Sequence, residues 1–169
     1  MTQTIEARSR GHFPADDPMQ GLEHDHNYVR QLMQRYLSTS DQQIKQQAGP
    51  HICEALEMHT SVEEATFYPR VEQFDPDMIE RCLSDHEEAD QLIMRLQNLS
   101  AGEPEYDALM QELHDAVTAH MALEEEQLFP AVREAAIDLH ELANNMQAYE
   151  SNLVAAQASQ SAQRPGQSR

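Results

Sequence analysis

The sequence contains no tryptophan, 5 glycines among 169 residues, and 11 Lys and Arg against 30 Asp and Glu. The resulting formal net charge of −19 repels phosphate backbones, so we expect no nucleic-acid partner. No apolar run approaches the roughly 18 residues that a membrane span needs. Residues 1–10 also lack the apolar stretch of a signal peptide. These absences favour a cytoplasmic protein without a membrane partner, either a monomer or a weak oligomer.

Cysteine is scarce as well, because the chain has two, Cys53 and Cys82. A single pair in a chain of this size does not form a disulfide framework. Both residues lie in stretches that are helical and partly apolar by pattern. We therefore expect two free, buried thiols in a reducing compartment.

The sequence is rich in helix-forming residues, chiefly Gln, Glu, Ala, Leu and Met. Apolar residues recur at helical spacing in five segments, and no strand pattern competes with them. Asp-Pro pairs at 17–18 and 75–76 indicate helix starts, and Gly49-Pro50 either bends the second helix or marks its true start. The predicted helices cover about 18–37, a segment ending near 72, a segment from 75 to the break at 100–104, a segment after that break, and about 138–154.

Four main helices with short connections pack most simply as an all-α, antiparallel up-down-up-down four-helix bundle, here with a short additional C-terminal helix. The length of 169 residues is enough for one such domain with its own core. We expect a flexible N-terminal arm over residues 1–15, the bundle over 16–156, and a disordered tail over 157–169. The tail is predicted from its Gln, Ser and Arg content and its Pro-Gly pair.

A weak internal repeat occurs in the second and fourth helices. The first copy is His59-x-x-x-Glu63-Glu followed by Phe67-Tyr68-Pro69, and the second is His120-x-x-x-Glu124-Glu followed by Leu128-Phe129-Pro130. Because these two helices point the same way in the predicted bundle, the two copies can lie at one level.

Histidines and carboxylates fall on the apolar, core-facing stripe of each main helix, since residues three or four apart share a face. Unpaired polar groups in a bundle core cost a few kcal/mol each, and charged groups cost more. Several of them converging from four helices indicate a metal site, and imidazole with carboxylate suits iron, zinc or manganese. The inward polar residues are His26, His59, Glu63, His86, Asp90, His120 and Glu124.

Six ligands are too many for one tetrahedral zinc, so we predict two metals, each with two histidines, bridged by the two glutamates. Asp90 is a seventh candidate, with an outer hydrogen-bond acceptor or a surface carboxylate as its alternatives. Glu64, Glu125 and Glu126 are expected at the surface or behind the ligands.

The motifs resemble those of the haemerythrin and HHE cation-binding family. The matching pieces are Leu22-Glu-His-Asp-His26, Asp85-His86 and the two copies of the repeat, over roughly residues 18–135. This resemblance implies an oxo- or hydroxo-bridged di-iron centre. His26 and His59 would then bind one iron, His86 and His120 the other, and Glu63 and Glu124 would bridge them.

Two departures from the oxygen carriers of this family bear on activity. Oxygen-carrying haemerythrins have histidine where this chain has Asp90, and a longer spacing to Asp where it has His120-x-x-x-Glu124. The chain looks more like the bacterial haemerythrin-like proteins linked to nitric oxide, peroxide or oxygen. A ferritin-like site is disfavoured, because Glu-x-x-His occurs once, at Glu23 and His26.

The leading hypothesis is therefore a di-iron protein that binds or reacts with oxygen, nitric oxide or peroxide, whether or not it is an enzyme. The first alternative is an iron- or redox-responsive sensor or interaction module without catalysis. The second is a purely structural metal site.

Overall fold

The structure, a computed structural model, describes residues 12–162, and of 160–162 it describes the backbone alone. Every regular element within this range is helical, so the protein is all-α there, as predicted. No helix in the described range is long and apolar enough to cross a membrane. The elements are α1 (Met19–Ser38), α2 (Gln42–Val62), π1 (Glu63–Phe67), α3 (Tyr68–Val71), α4 (Pro76–Leu96), α5 (Pro104–Leu123), π2 (Glu124–Leu128), α6 (Phe129–Glu134) and α7 (Leu139–Ala162).

Side-chain caps fix the starts of two long helices. The Asp41 carboxylate accepts a hydrogen bond from the Gln43 amide at 2.8 Å, and Asp75 accepts one from the Met78 amide at 3.1 Å. These bonds satisfy amides that have no partner inside the helix. Asp17 does not cap α1 as expected, because its carboxylate pairs with Arg133 instead. The second helix begins at Gln42 and runs through Pro50, so Gly49-Pro50 is not its start.

Two π-helical turns follow the two repeat histidines. Backbone amides donate across the wider i to i+5 spacing, from Tyr68 to the Glu63 carbonyl and from Phe129 to the Glu124 carbonyl. The cause is visible in the sequence, since Pro69 and the proline of the second copy lack an amide proton and crowd the carbonyl four residues earlier. Such turns inside helices are frequent at functional sites.

Four of the five long helices, α1, α2, α4 and α5, make a closed ring of contacts. α1 packs against α2 and α5, and α4 packs against α5 and α2, while α7 lies against α2 and π1. The buried apolar residues form two clusters: one contains Val29, Leu56 and Ala89, and the other contains Leu22 and Val62. On α1 and α2 the histidines lie between residues of the two clusters. The polar site is therefore a layer between two apolar layers.

Two expectations from the sequence differ in detail from the structure. Within the predicted N-terminal arm, Phe13 is buried and packs in the second apolar cluster, whereas residues 1–11 lie outside the described range. The additional C-terminal helix was expected to be short, but α7 has 24 residues. It continues to Ala162, into the predicted tail, through Gln, Ala and Ser residues that a helix tolerates. Both cysteines are free and buried, as expected.

Candidate metal centre

The structure brings the six predicted ligand residues together between the two apolar clusters. None of them is more than 6% exposed, and both glutamates are fully buried. One histidine comes from each of α1, α2, α4 and α5, and π1 and π2 contribute the first residue of each wide turn. The residues are His26, His59, Glu63, His86, His120 and Glu124.

One half of the centre is built on the histidines of α1 and α2. The Nε2 atoms of His26 and His59 are 3.0 Å apart. Glu63 Oε2 lies 3.2 Å from the His59 nitrogen, and Glu124 Oε2 lies 3.3 Å from the His26 nitrogen. These four residues form a group whose ligand atoms could hold a cation.

The other half repeats this arrangement with the histidines of α4 and α5. The Nε2 atoms of His86 and His120 are also 3.0 Å apart. Glu63 Oε2 is 3.4 Å from the His86 nitrogen, and Glu124 Oε2 is 3.3 Å from the His120 nitrogen. Glu63, His86 and His120 form a second group that could hold a cation. Each glutamate therefore offers the same oxygen to a histidine of both halves.

These separations fit metal ligation. Metal–nitrogen and metal–oxygen bonds of about 2.1 Å place neighbouring ligand atoms about 3.0–3.4 Å apart in octahedral or tetrahedral geometry. Four buried side-chain atoms among the described residues lack a hydrogen-bond partner, and all four belong to this centre: His59 Nδ1, Glu63 Oε1, His120 Nδ1 and Glu124 Oε2. The two Nδ1 atoms face Asp25 and Asp85, but Glu124 Oε2 lies 3.3 Å from the Nε2 atoms of both His26 and His120. Because an unsatisfied buried polar atom is costly, this unpaired carboxylate oxygen among the histidines fits a bound cation.

Behind the histidines stand four outer carboxylates, those of Asp25, Glu64, Asp85 and Glu125. Glu125 lies 2.7 Å from Nδ1 of His26, and Glu64 lies 2.9 Å from Nδ1 of His86. The two aspartates stand further from the remaining histidines, at 3.8 Å for Asp25 and 3.4 Å for Asp85. The hydrogen bonds from Glu125 and Glu64 fix the rings of His26 and His86 and leave their Nε2 atoms free to bind a metal.

Each outer carboxylate is adjacent in sequence to one of the six central residues, and the sequence patterns did not predict this role for the aspartates. Asp25 and Asp85 each directly precede a site histidine in sequence, yet each faces the histidine of the next long helix. Glu64 and Glu125 directly follow the two shared glutamates, and their placement behind the histidines agrees with one of the two expectations. The pairs Asp-His and Glu-Glu are thus the recognisable signal.

These carboxylates create a strongly negative environment at the histidines. Burial lowers the pKa of His26, but its hydrogen bonds to Glu124 and Glu125 outweigh burial and raise the pKa to about 9. Burial likewise lowers the pKa of His86, and two neighbouring glutamates outweigh it and raise the pKa to about 10. A potential that stabilises a proton on these rings also attracts a metal cation in its place.

Tyr68 is a buried polar residue of the centre that the sequence interpretation left without a role. Its hydroxyl donates to Glu124 Oε1 at 2.8 Å and lies 3.1 Å from His86 Nε2. Burial and the carboxylates of Glu63 and Glu124 raise the pKa of Tyr68 well above its usual value, so the hydroxyl stays protonated and serves as a donor. The π-helical turn before Pro69 brings this side chain to the site.

Asp90 is not on the inward face, which corrects its place in the predicted stripe. Its side chain is exposed, and Ala89 takes the buried position one turn after His86. Burial of part of the side chain and the nearby Glu64 raise the pKa of Asp90 above its usual value. Asp90 belongs to neither of the two groups that could hold a cation. Of its predicted alternatives, the surface carboxylate is the one that fits.

Fold and site together define an all-α protein whose buried histidines and carboxylates can hold cations. Residues 17–154 match the Hemerythrin HHE cation binding domain. Because this match covers most of the chain, the protein belongs to that family.

The chain is also similar to a protein of Nostoc sp. (strain PCC 7120 / SAG 25.82 / UTEX 2576) named DNA nickase. The two are 32% identical over 110 residues, which is 64% of this chain and 31% of the relative. The chain thus spans about a third of the length of the curated relative it matches. No solved structure matches.

Proposed function

We propose that this protein is a di-iron haemerythrin-like protein that binds or reacts with oxygen, nitric oxide or peroxide. His26 and His59 would hold one iron, His86 and His120 the other, and the two buried glutamates would bridge them. The observation that carries the proposal is the position of Glu63, whose Oε2 lies 3.2 Å from His59 and 3.4 Å from His86. One oxygen shared between the two halves suits a bridge.

The alternating order of the clusters along the helices supports an antiparallel up-down-up-down bundle around this centre. On α1 the chain passes from Leu22 in one apolar cluster through the histidine to Val29 in the other. On α2 it passes in the opposite sense, from Leu56 to Val62. The sense alternates again on α4 and α5. We propose this bundle as the arrangement that places all four histidines at one level.

Iron is the metal that the family resemblance implies, and the ligand set is compatible with it. Neutral imidazole and carboxylate suit iron, zinc and manganese, and neither group of described residues that could hold a cation contains a thiolate, the ligand that soft metals prefer. When bound, iron would supply one-electron redox change and an open coordination position for a small molecule. The chain's own residues would orient the imidazoles, neutralise charge and exclude water.

A DNA-cleaving role is not part of this proposal. The name DNA nickase belongs to a protein of which this chain spans 31%. The formal net charge of −19 disfavours contact with a phosphate backbone, since binding to DNA rests largely on Lys and Arg.

The proposal is tested by elemental analysis and optical spectra of protein produced with excess iron. We expect two irons per chain and absorption bands of a bridged di-ferric centre that respond to oxygen, nitric oxide or peroxide. His59→Ala should lose iron and bands together. His114→Ala is the control, because His114 lies on α5 but bonds to Asp115 away from the centre. A folded protein that takes up no iron would refute the proposal.

A further inference from the structure

The two halves of the centre differ in one polar group. Tyr68 and Phe129 occupy equivalent places in the repeat, each directly after a π-helical turn and directly before a proline. Both side chains are buried. Phe129 stacks on His26 with ring centroids 5.8 Å apart, whereas Tyr68 tilts against His86 at 5.3 Å. One half therefore has a hydroxyl where the other has an apolar ring edge.

The Tyr68 hydroxyl borders the space enclosed by the His86–His120 half. Its oxygen is 2.8 Å from Glu124 Oε1, 3.1 Å from His86 Nε2 and 3.4 Å from Glu63 Oε2. The distances to His86 and Glu63 fall within the 3.0–3.4 Å found among the proposed ligand atoms, and the distance to Glu124 is that of a hydrogen bond. Because a hydroxyl proton rotates to suit its acceptor, Tyr68 can donate to Glu124 or to another acceptor atom placed beside it.

The carboxylates behind the histidines also differ between the two halves. Arg30 holds Glu125, the carboxylate behind His26, through two hydrogen bonds of 2.8 and 3.0 Å. Glu64, the carboxylate behind His86, has a side chain that is 44% exposed. A bidentate arginine pair fixes its carboxylate more firmly than water does. The His26 half is thus the more rigid and apolar, and the His86 half is the one with a hydrogen-bond donor and a more adaptable support.

We propose that a small anionic ligand binds in the His86–His120 half, because the Tyr68 hydroxyl donates a hydrogen bond to the ligand there. This inference rests on the proposed function, since it presupposes a metal in each half. A hydrogen bond to a charged acceptor in a buried site is stronger than a neutral one. The apolar ring of Phe129 offers no such bond in the His26 half. Tyr68 is accordingly a ligand-positioning residue, and it sets which half accepts the anion.

The test is titration of the iron-loaded protein with azide as the anionic probe, in the wild type and in Tyr68→Phe. The substitution removes one oxygen atom and keeps the ring. We expect the Kd for azide to rise about tenfold or more, which corresponds to ~1.4 kcal/mol. Iron content should stay at two per chain. Tyr149→Phe is the matched control: Tyr149 is partly buried and its hydroxyl bonds to Ser61 at 2.8 Å, so its loss should change azide affinity less than twofold.

The possible results separate the inference from the proposed function. Two irons in Tyr68→Phe with unchanged azide affinity would overturn the inference and leave the di-iron proposal intact. Loss of iron in Tyr68→Phe would overturn the inference too, and so would loss of a visible phenolate-to-iron absorption band. Either result would mean that the tyrosine oxygen is needed to hold metal. A wild-type protein that lacks two irons would overturn both. A purely structural role would lower thermal stability without a selective loss of azide affinity.

Discussion

Glu63 and Glu64 are neighbours in sequence with different expected roles, and they allow a matched test of the shared bridge. Glu63 is fully buried, and its Oε2 lies within 3.4 Å of a histidine of each half. Glu64 is partly exposed, and its Oε1 lies 2.9 Å from Nδ1 of His86. Glu63→Gln and Glu64→Gln remove one negative charge each at nearly constant volume, so differences between them report position.

The structure sets the expected magnitudes. Loss of a carboxylate behind a ligand histidine typically weakens metal binding about 10–100-fold, and the exposure of Glu64 places its effect near the lower end, about tenfold at one of two metals. Glu63→Gln replaces a carboxylate shared by both halves with a neutral amide, so we expect metal affinity to fall more than roughly 100-fold at both metals, beyond the range for an outer carboxylate. The Glu63 variant should therefore emerge from purification with less than one iron per chain.

The assay is elemental analysis followed by competition with a calibrated iron chelator, which gives the stoichiometry and the affinity of each metal. The reasoning would be refuted by a Glu63→Gln protein that keeps two irons at wild-type affinity. It would be refuted equally by a Glu64→Gln protein that loses both. Circular dichroism of each variant confirms that the helices are retained, so that a loss of metal is not a loss of fold.

Three further predictions concern protonation and support of the centre. In the metal-free protein at pH 7, His26 and His86 carry protons because their pKa values are about 9 and about 10. A metal needs the neutral rings, so loading should release about two protons, seen with a pH indicator in weak buffer. The apparent metal affinity should rise with pH up to about 10, the higher of the two pKa values. Arg30→Gln removes the two hydrogen bonds from arginine to Glu125. Chelator competition should then show iron affinity up to about tenfold weaker at one metal position. Lys45→Ala breaks a mostly buried pair in the apolar layer, so denaturant unfolding should show a loss of about 1–3 kcal/mol with iron content unchanged.

The sequence predicted the helices and the six converging residues because both leave a periodic signal. A histidine on an apolar stripe is visible from spacing alone, and the repeat of His59-x-x-x-Glu63 and His120-x-x-x-Glu124 doubles that signal. All six lie together in the structure, and their role as ligands stays a prediction.

The inward position predicted for Asp90 differs from the structure, because spacing alone allows two residues to take the next core-facing place after His86. A position three or four residues after His86 can face inward, and packing selects Ala89 over Asp90. The π-helical turn changes the register, so the direction of the Tyr68 hydroxyl could not be read from a 3.6-residue period. The extra length of α7 was missed because a composition rich in Gln, Ala and Ser is common to helices and to disordered tails.

The most direct test of the account is a crystal structure of the iron-loaded protein with anomalous diffraction recorded at the iron absorption edge. We expect two anomalous peaks, one beside the Nε2 atoms of His26 and His59 and one beside those of His86 and His120, with a carboxylate oxygen of Glu63 within bonding distance of both. A single peak, or two peaks held by other residues, would contradict the shared-glutamate centre.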